Sequence, residues 1–327
     1  MTHLREPRHR AVSVVVPVYN SAATLPRLLE RLAAVLCALC PLHEVILVND
    51  GSRDESWTQI SSLAQTHAWL RGINLSRNYG QHNALLAGIR AARYEVIVTL
   101  DDDLQNPPEE IPRLLVAIER GYDVVYGTPS RAQHGVARRL ASRATKLALQ
   151  GTMGADVAGR VSAYRVFRTS LREAFVRVRG PFVNIDVLLT WSTTRFAAIP
   201  VRHDPRDEGT TNYTFGALVT HALNMLTGFT TRPLQVASLV GFSFTLFGMT
   251  ILGLVLGRYA LHGGTVPGFT FLASSIAIFS GAQLFALGVI GEYLARMYFR
   301  TMERPAYVIR DRVGLSATGE ANAEPVD

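Results

Sequence analysis

Residues 95–103 read EVIVTLDDD, a run of mainly β-branched residues that ends in three aspartates. Such a run is typical of a buried strand. Upstream of it the sequence predicts strands at 12–18, 44–48 and 72–75, and these are separated by helical patterns at 24–39, 56–68 and 83–92. Strands that alternate with helices in this way predict an α/β domain with a mostly parallel sheet covered on both faces.

Polar residues follow the predicted strands. Tyr19 and Asn20 follow the first strand, Asp50 follows the second, and the acidic triplet follows the strand at 95–100. In parallel sheets ligands bind beyond the carboxyl ends of the strands. Neither G-x-G-x-x-G nor G-x-x-x-x-G-K-[ST] follows the first strand, which argues against an ordinary dinucleotide-binding or P-loop protein. Further strands are predicted at 123–127, 163–167 and 196–201.

The acidic triplet is a candidate metal site. Side chains alternate along a strand, so Asp101 and Asp103 tend to share a face while Asp102 points elsewhere. Mg²⁺ or Mn²⁺ bound to this pair would relieve the repulsion between the carboxylates, and a diphosphate would complete its oxygen shell. A solvated turn explains an acidic triplet equally well by itself. Its position at the end of a strand favours the metal site.

Two other side chains are candidates for binding a nucleotide. Tyr19 can stack on a nucleobase, and Asp50 can accept a hydrogen bond from a base or a ribose. A half-buried tyrosine and a turn aspartate explain the same residues equally well.

The C-terminal third is strongly apolar. Residues 233–257 and 266–291 contain no charged side chain, and each run is long enough to cross a bilayer. The alternative, a pair of buried helices in a large soluble core, is less consistent with two runs of this length. Residues 215–229 are apolar on one side and predict a helix that lies in the membrane interface. Arginines flank both outer ends of the pair, and the N-terminus lacks a signal-peptide pattern, so both ends are expected in the cytoplasm.

Charge and cysteine content narrow the class of protein. The formal net charge of +7 suits a membrane surface or a phosphate-bearing substrate, whereas no nucleic-acid-binding motif occurs. Cys37 and Cys40 are spaced as C-x-x-C, but no further pair of metal ligands accompanies them. We interpret them as two small residues on a helix.

Five stretches carry a family resemblance: residues 14–20 (VVVPVYN), 48–52 (VNDGS), 77–82 (RNYGQH), 100–112 (LDDDLQNPPEEIP), and 281–283 (GAQ) with 291–293 (GEY). Together they resemble the inverting glycosyltransferases of family 2 with the GT-A (Rossmann-like) fold. Within that family they are similar to the polyprenyl-phosphate branch, which includes dolichol-phosphate mannose synthases, bactoprenol glucosyltransferases and undecaprenyl-phosphate 4-deoxy-4-formamido-L-arabinose transferases. The resemblance covers nearly the whole chain, except a few N-terminal residues and the tail after Arg312.

The resemblance implies roles for individual residues. Asp101 and Asp103 correspond to the DxD pair that binds Mg²⁺ or Mn²⁺. The implied catalytic residues are Asp156, as a base, with Asp103 and Arg206. The implied nucleotide-sugar contacts are Pro17, Tyr19, Asn20, Asp50, Arg77, Asn78, Gln81, Asp101 and Asp102. The acceptor phosphate is expected at Arg165, Arg202, Arg206 and Tyr213, with Gly209 in the same motif.

Two departures from the branch bear on the substrate. Thr211 and Asn212 stand where the family has Ser and Lys, and Val161-Ser162 stands where the arabinose-type enzymes have Leu-Arg. One cation is missing in each place, which argues against the aminoarabinose donor. The role of Asp156 also stays open, because a phosphate monoester is already mostly dianionic at neutral pH. Asp156 can act as a base or can position the acceptor.

The expected function is inverting transfer of a sugar from a nucleotide sugar, UDP-linked by resemblance, to polyprenyl phosphate. The expected layout is a catalytic domain (1–212), an interfacial helix (213–232), two spans (233–291) and a cytoplasmic tail (292–327). The alternatives are a GDP-mannose-dependent mannose synthase and a catalytically silent subunit that binds nucleotide sugars. A processive synthase would need a Gln-x-x-Arg-Trp motif, which the sequence lacks. Related enzymes often form tetramers, so a homo-oligomer is predicted, with a strand at 306–309 on another protomer's sheet.

Overall fold

A computed structural model describes residues 11–129, 161–176, 178, 180, 183–204, 232–262, 268–302 and 304–314. Within these residues, eight strands form one sheet with the order β7-β5-β6-β4-β1-β2-β3-β8. The strands are β1 (Ala11–Val18), β2 (Leu42–Asn49), β3 (Leu70–Leu75), β4 (Val96–Thr99), β5 (Val124–Pro129), β6 (Arg165–Arg168), β7 (Phe196–Val201) and β8 (Ile309–Val313). All seven strands predicted up to residue 201 are present.

The helices of the described residues are α1 (Leu25–Leu39), α2 (Ser56–Thr66), α3 (Gln81–Ala91), α4 (Ile111–Glu119), α5 (Glu173–Val176), α6 (Ile185–Ser192), α7 (Arg232–His262) and α8 (Phe269–Thr301). Two short 3₁₀ helices lie at Pro108–Glu110 and Thr169–Arg172. The predicted interfacial helix at 215–229 lies outside the described residues.

The centre of the sheet is parallel, as predicted. β1 pairs in parallel with β2 and β4, β2 with β3, and β5 with β7, whereas β6 runs antiparallel between β4 and β5. Every residue of β1 is buried, which fits its β-branched sequence. Leu25, Leu28, Leu32 and Leu36 of α1 recur at helical spacing and all lie in the core. The fold is therefore a mostly parallel α/β domain.

β8 corrects one prediction about the C-terminal strand. It begins at Ile309, later than the predicted strand at 306–309, and it pairs antiparallel with β3 of the same chain. The chain divides into two compact units, residues 1–213 with 303–327 and residues 214–302. The strand that follows the apolar helices in the sequence therefore belongs to the same unit as the sheet.

The second unit contains the two apolar helices α7 and α8. Leu234–Leu261 and Ile278–Ala295 are long and apolar enough to cross a membrane, with mean hydropathies of 2.2 and 1.4. The ring of Phe279 packs edge-on against Phe244, with ring centroids 6.0 Å apart. A Cβ atom on Gly248 would lie 2.8 Å from the same ring. The pair therefore has the length, the composition and the close packing of a transmembrane hairpin.

The cysteines behave as predicted. Both are free thiols; Cys37 is exposed on α1, and Cys40 is buried directly after it. Burial raises the pKa of the Cys40 thiol to about 11, which makes this thiol inert as a nucleophile at neutral pH.

Candidate active site

The acidic triplet lies at the carboxyl end of β4 and contacts the neighbouring loop after β1. The carboxylate of Asp102 accepts a hydrogen bond from the backbone N–H of Tyr19 at 3.1 Å. Asp101 instead accepts from the side-chain amide of Gln81 at 2.6 Å, and Asp103 accepts from the backbone of Gln105 at 3.2 Å. Burial raises the pKa of Asp102. The three carboxylates therefore have different partners, and Asp102 is the one turned towards the β1 loop.

The residue after the triplet has an unusual backbone. Leu104 is buried and has a φ of 62°, a conformation that bulky side chains rarely adopt. A strained backbone conformation of this kind persists only where contacts with the surrounding structure fix it. The turn after β4 is thus held by its neighbours rather than by its own backbone preference.

Asp50 shapes the loop at residues 76–80. Its carboxylate accepts backbone hydrogen bonds from Tyr79 at 2.7 Å and from Gly80 at 2.8 Å, and the residue is only 3% exposed. Burial raises the pKa of Asp50, and the two hydrogen bonds oppose that shift. The structure therefore shows Asp50 as the residue that holds this loop.

Gly51 allows the loops after β2 and β3 to approach each other. Its φ is 65°, and a Cβ atom there would lie 2.5 Å from backbone atoms of Arg77 and Asn78. Only glycine combines this conformation with so close an approach. The tight turn thus brings two predicted nucleotide contacts, Arg77 and Asn78, beside Asp50.

The remaining predicted nucleotide contacts differ in exposure. Tyr19 is 46% exposed, and its neighbour Asn20 has a φ of 54° and is tied to Ser52 and Arg53 by hydrogen bonds of 3.0 and 2.8 Å. The guanidinium of Arg77 lies 4.6 Å from the centre of the Tyr79 ring. Asn78 and Gln81 are exposed. Pro17 is buried inside β1, so its side chain is the least accessible of the set.

The structure contradicts the prediction that Arg165 binds the acceptor phosphate. Arg165 is 2% exposed, and its guanidinium forms an ion pair with Asp186 inside the protein. The hydroxyl of Tyr126 donates to the same carboxylate at 3.0 Å. In the sequence, an arginine on a strand with no acidic residue nearby looks like a phosphate-binding side chain. In the structure, Asp186 on α6 neutralises its charge.

Arg202 lies in an ion-pair network that the sequence analysis missed. It approaches Asp204 at 3.1 Å and Glu109 at 3.6 Å, while Arg31 donates two hydrogen bonds to Glu109. The backbone N–H of Asp204 donates to the carbonyl of Gln105 at 3.0 Å. The network joins the segment after β7 to the segment after the acidic triplet. No local pattern predicts it, because its members come from three separate segments. Asp156, Arg206, Gly209 and Tyr213 lie outside the described residues.

Asp101 and Asp103 are the candidate metal ligands of this edge. Within the described part of the chain, no three His, Cys, Asp or Glu side chains are grouped to hold a metal ion. A cation here would take its other ligands from substrate oxygens and water, which is the coordination that Mg²⁺ and Mn²⁺ accept. The carboxylates of Asp101 and Asp103 are oxygen ligands of the kind that such a cation takes.

Comparison with known proteins defines the family. The family model described as glycosyl transferase family 2 matches residues 13–176. The chain belongs to glycosyl transferase family 2, and it is a glycosyltransferase.

Relatives and solved structures agree with this assignment. The chain is 36% identical over 319 residues to the undecaprenyl-phosphate 4-deoxy-4-formamido-L-arabinose transferase of Yersinia pestis, covering 96% of this chain and 97% of that one. It is 38% identical over 304 residues to the enzyme of the same name from Shewanella sediminis, covering 92% of each. Glucosyl-3-phosphoglycerate synthase of Mycobacterium tuberculosis, crystallised with Mn²⁺, UDP and glucosyl-3-phosphoglycerate, matches with a TM-score of 0.51 at 17% identity, over 67% of this chain and 78% of that one. At that identity the likeness shows the shared GT-A fold.

Proposed function

We propose that this glycosyltransferase moves a sugar from a nucleotide donor, UDP-linked, onto polyprenyl phosphate at the cytoplasmic face of a membrane. The observation that carries the proposal is the joining of three loops at the carboxyl edge of the sheet. Asp102 binds the Tyr19 loop, Asp50 binds loop 76–80, and Gln81 binds Asp101. The relatives named as undecaprenyl-phosphate transferases match this chain over nearly its full length, including the apolar helices.

The exposed side chains of these loops are the proposed donor site. Tyr19 stacks on the nucleobase, and Arg77, Asn78 and Gln81 line the path of the ribose and diphosphate. Asp101 and Asp103 hold Mg²⁺ or Mn²⁺. When bound, this cation supplies charge neutralisation for the leaving diphosphate. Asp50 contributes by holding loop 76–80.

The proposed reaction is a single displacement with inversion at the anomeric carbon. A phosphate oxygen of the acceptor forms the new bond as the bond between the sugar and the nucleoside diphosphate breaks. The acceptor is already mostly dianionic, so positioning and charge neutralisation contribute most of the rate. Asp156, Arg206 and Tyr213 stay the predicted acceptor-side residues, and Arg202 joins them only if its two carboxylate partners release it.

We further propose that α7 and α8 span the cytoplasmic membrane, with both chain ends in the cytoplasm. The proposed boundaries are 1–212 for the catalytic domain, 213–232 for the interfacial helix, 233–291 for the spans and 292–327 for the C-terminal part. A homo-oligomer, such as a tetramer, stays a prediction from the resemblance.

The test is release of nucleoside diphosphate by the purified full-length protein in detergent. The reaction contains undecaprenyl phosphate, Mg²⁺ or Mn²⁺ and a panel of UDP- and GDP-sugars. We expect release that requires both lipid and metal and that falls at least about a hundredfold in Asp103→Asn. Asp123→Asn is the matched control, because this carboxylate precedes β5 at the opposite edge of the sheet and bonds Thr193 and Arg168. It should retain activity.

Two outcomes would contradict the proposal. Lipid-independent release would indicate a different acceptor. Metal-dependent nucleotide binding without turnover of any donor would favour the silent-subunit alternative.

A further inference from the structure

The C-terminal segment (residues 307–311) contacts the loop that carries Arg77 and Asn78. The carbonyl of Val308 accepts a hydrogen bond from the backbone N–H of Ser76 at 2.9 Å. In the same loop, the hydroxyl of Tyr79 lies 2.9 Å from the hydroxyl of Ser76. The segment therefore holds loop 76–80 from one side, while Asp50 holds it from the other.

A chain of side-chain hydrogen bonds links β8 to the turn after β2. Asp311 accepts from the side-chain amide of Asn74 at 3.0 Å, and Asn74 accepts from that of Asn49 at 2.8 Å. The side-chain carbonyl of Asn49 lies 3.4 Å from the backbone N–H of Ser52. Asn49, Asn74 and Asp311 occupy matching register positions on β2, β3 and β8. The turn that contains Asp50 is thus connected, across two strand pairs, to a carboxylate of the C-terminal segment.

These contacts exceed what a strand needs in order to cover a sheet edge. Backbone pairing alone would cover β3. Here Asn49 and Asn74 are buried polar side chains, and leaving one of their amide groups unpaired would be costly. Asp311 supplies the acceptor for the outer amide. Its negative charge strengthens that hydrogen bond.

We propose that the C-terminal segment is a positioning element of the donor site, and that Asp311 of this segment and Tyr79 of loop 76–80 are the positioning residues. The inference rests on the proposed function, since it takes loop 76–80 and the turn after β2 as the nucleotide site. The affinity for the nucleotide donor then depends on the C-terminal segment, which follows the apolar helices in the sequence.

The test is calorimetric binding of UDP and of GDP, each with Mn²⁺, to the full-length protein in detergent. We expect Asp311→Ala to weaken the Kd of the nucleotide that the wild-type protein binds by about fivefold. Asp311→Asn retains a carbonyl acceptor for Asn74 and should stay within about twofold of wild type. Tyr79→Phe removes the hydroxyl that contacts Ser76 and should resemble Asp311→Ala. In turnover assays the KM for the donor should rise while kcat and the KM for the acceptor stay unchanged.

Val313→Ala is the control for a general loosening of β8. Val313 packs on the core beside Gly72 and forms no side-chain hydrogen bond. We expect this variant to lower Tm without changing the nucleotide Kd. An unchanged Kd in Asp311→Ala, or an equal loss of affinity in Val313→Ala, would overturn the inference.

The same experiment separates failure of the inference from failure of the proposed function. If the wild-type protein binds neither UDP nor GDP, the proposed function fails and the inference fails with it. If the wild-type protein binds a nucleotide and Asp311→Ala binds it equally well, only the inference fails.

Discussion

At the carboxyl edge of the sheet, two aspartates form hydrogen bonds mainly with backbone N–H groups. Asp50 and Asp102 both accept backbone N–H groups from a loop other than their own. Such bonds are stronger than those between neutral groups, because the acceptor is charged. The loops therefore keep their positions through buried or half-buried carboxylates, while side chains such as Tyr19 stay exposed.

Gly51→Ala should damage this arrangement more than Gly80→Ala. Both glycines have a positive φ, so alanine costs roughly 1–3 kcal/mol of backbone strain at either position, including Gly80, whose φ of 92° and ψ of 152° lie in a region that is essentially restricted to glycine. At Gly51 the new Cβ would also lie 2.5 Å from the backbone of Arg77, whereas nothing lies within 4 Å at Gly80. We expect Gly51→Ala to lose an additional 1–3 kcal/mol or so of unfolding free energy and to bind nucleotide more weakly. Denaturant unfolding and nucleotide titration measure the two effects. Equal losses in the two variants would contradict the steric argument.

Some of the site could be predicted from local sequence, and some could not. The position of the acidic triplet at the end of β4 follows from the β-branched run that precedes it, which is a local property. The partners of Asp50 lie 29 and 30 residues further along the chain, so no local pattern reveals that it holds a loop. Arg165 was misassigned for the same reason, because its partner Asp186 lies 21 residues away.

At the scale of whole elements, the apolar strands were predictable and the charged one was not. β1, β2 and β4 are buried runs of β-branched residues, and their predicted bounds differ from the observed ones by at most two residues. β8 reads IRDRV, and three of its five residues are exposed. Charged side chains are typical of strands at the edge of a sheet, where they discourage pairing with other chains. Its partner β3 lies more than 230 positions away, as the contact between Asn74 and Asp311 shows.

The pairing of α7 with α8 gives a prediction at the same scale. Gly248→Leu should destabilise the helix pair by roughly 1–3 kcal/mol, because its side chain would displace the ring of Phe279. Gly253→Leu is the matched control on the same helix, since nothing lies within 4 Å of a Cβ atom there. Thermal unfolding of the full-length protein in detergent compares the two. A Tm that falls equally in both variants would show that the contact with Phe279 contributes nothing.

Across the whole molecule, side chains at the carboxyl ends of the strands (the carboxyl edge) and at their amino ends (the amino edge) have different roles. The carboxyl edge holds the loops of the proposed donor site, whereas the amino edge contains a buried carboxylate, Glu44. This side chain accepts hydrogen bonds from the hydroxyl of Ser13 at 2.7 Å, the backbone of Arg93 at 2.7 Å and the guanidinium of Arg71 at 2.8 Å. Asp50 follows the same strand six positions later, roughly 20 Å away along β2. Stability and substrate binding should therefore be separable by mutation.

Glu44→Gln tests that separation. The substitution keeps the size of the side chain, but it removes the charge that Arg71 is paired with in a site where both side chains are largely buried. Breaking such a pair costs about 3 kcal/mol, because the remaining charge is left without its counter-ion. Glu30→Gln changes an exposed glutamate on α1 and should alter the unfolding free energy by less than about 0.5 kcal/mol. At temperatures where both variants are folded, each should bind nucleotide with wild-type affinity. A loss of affinity in Glu44→Gln would mean that the amino edge is coupled to the donor loops through the length of the strands.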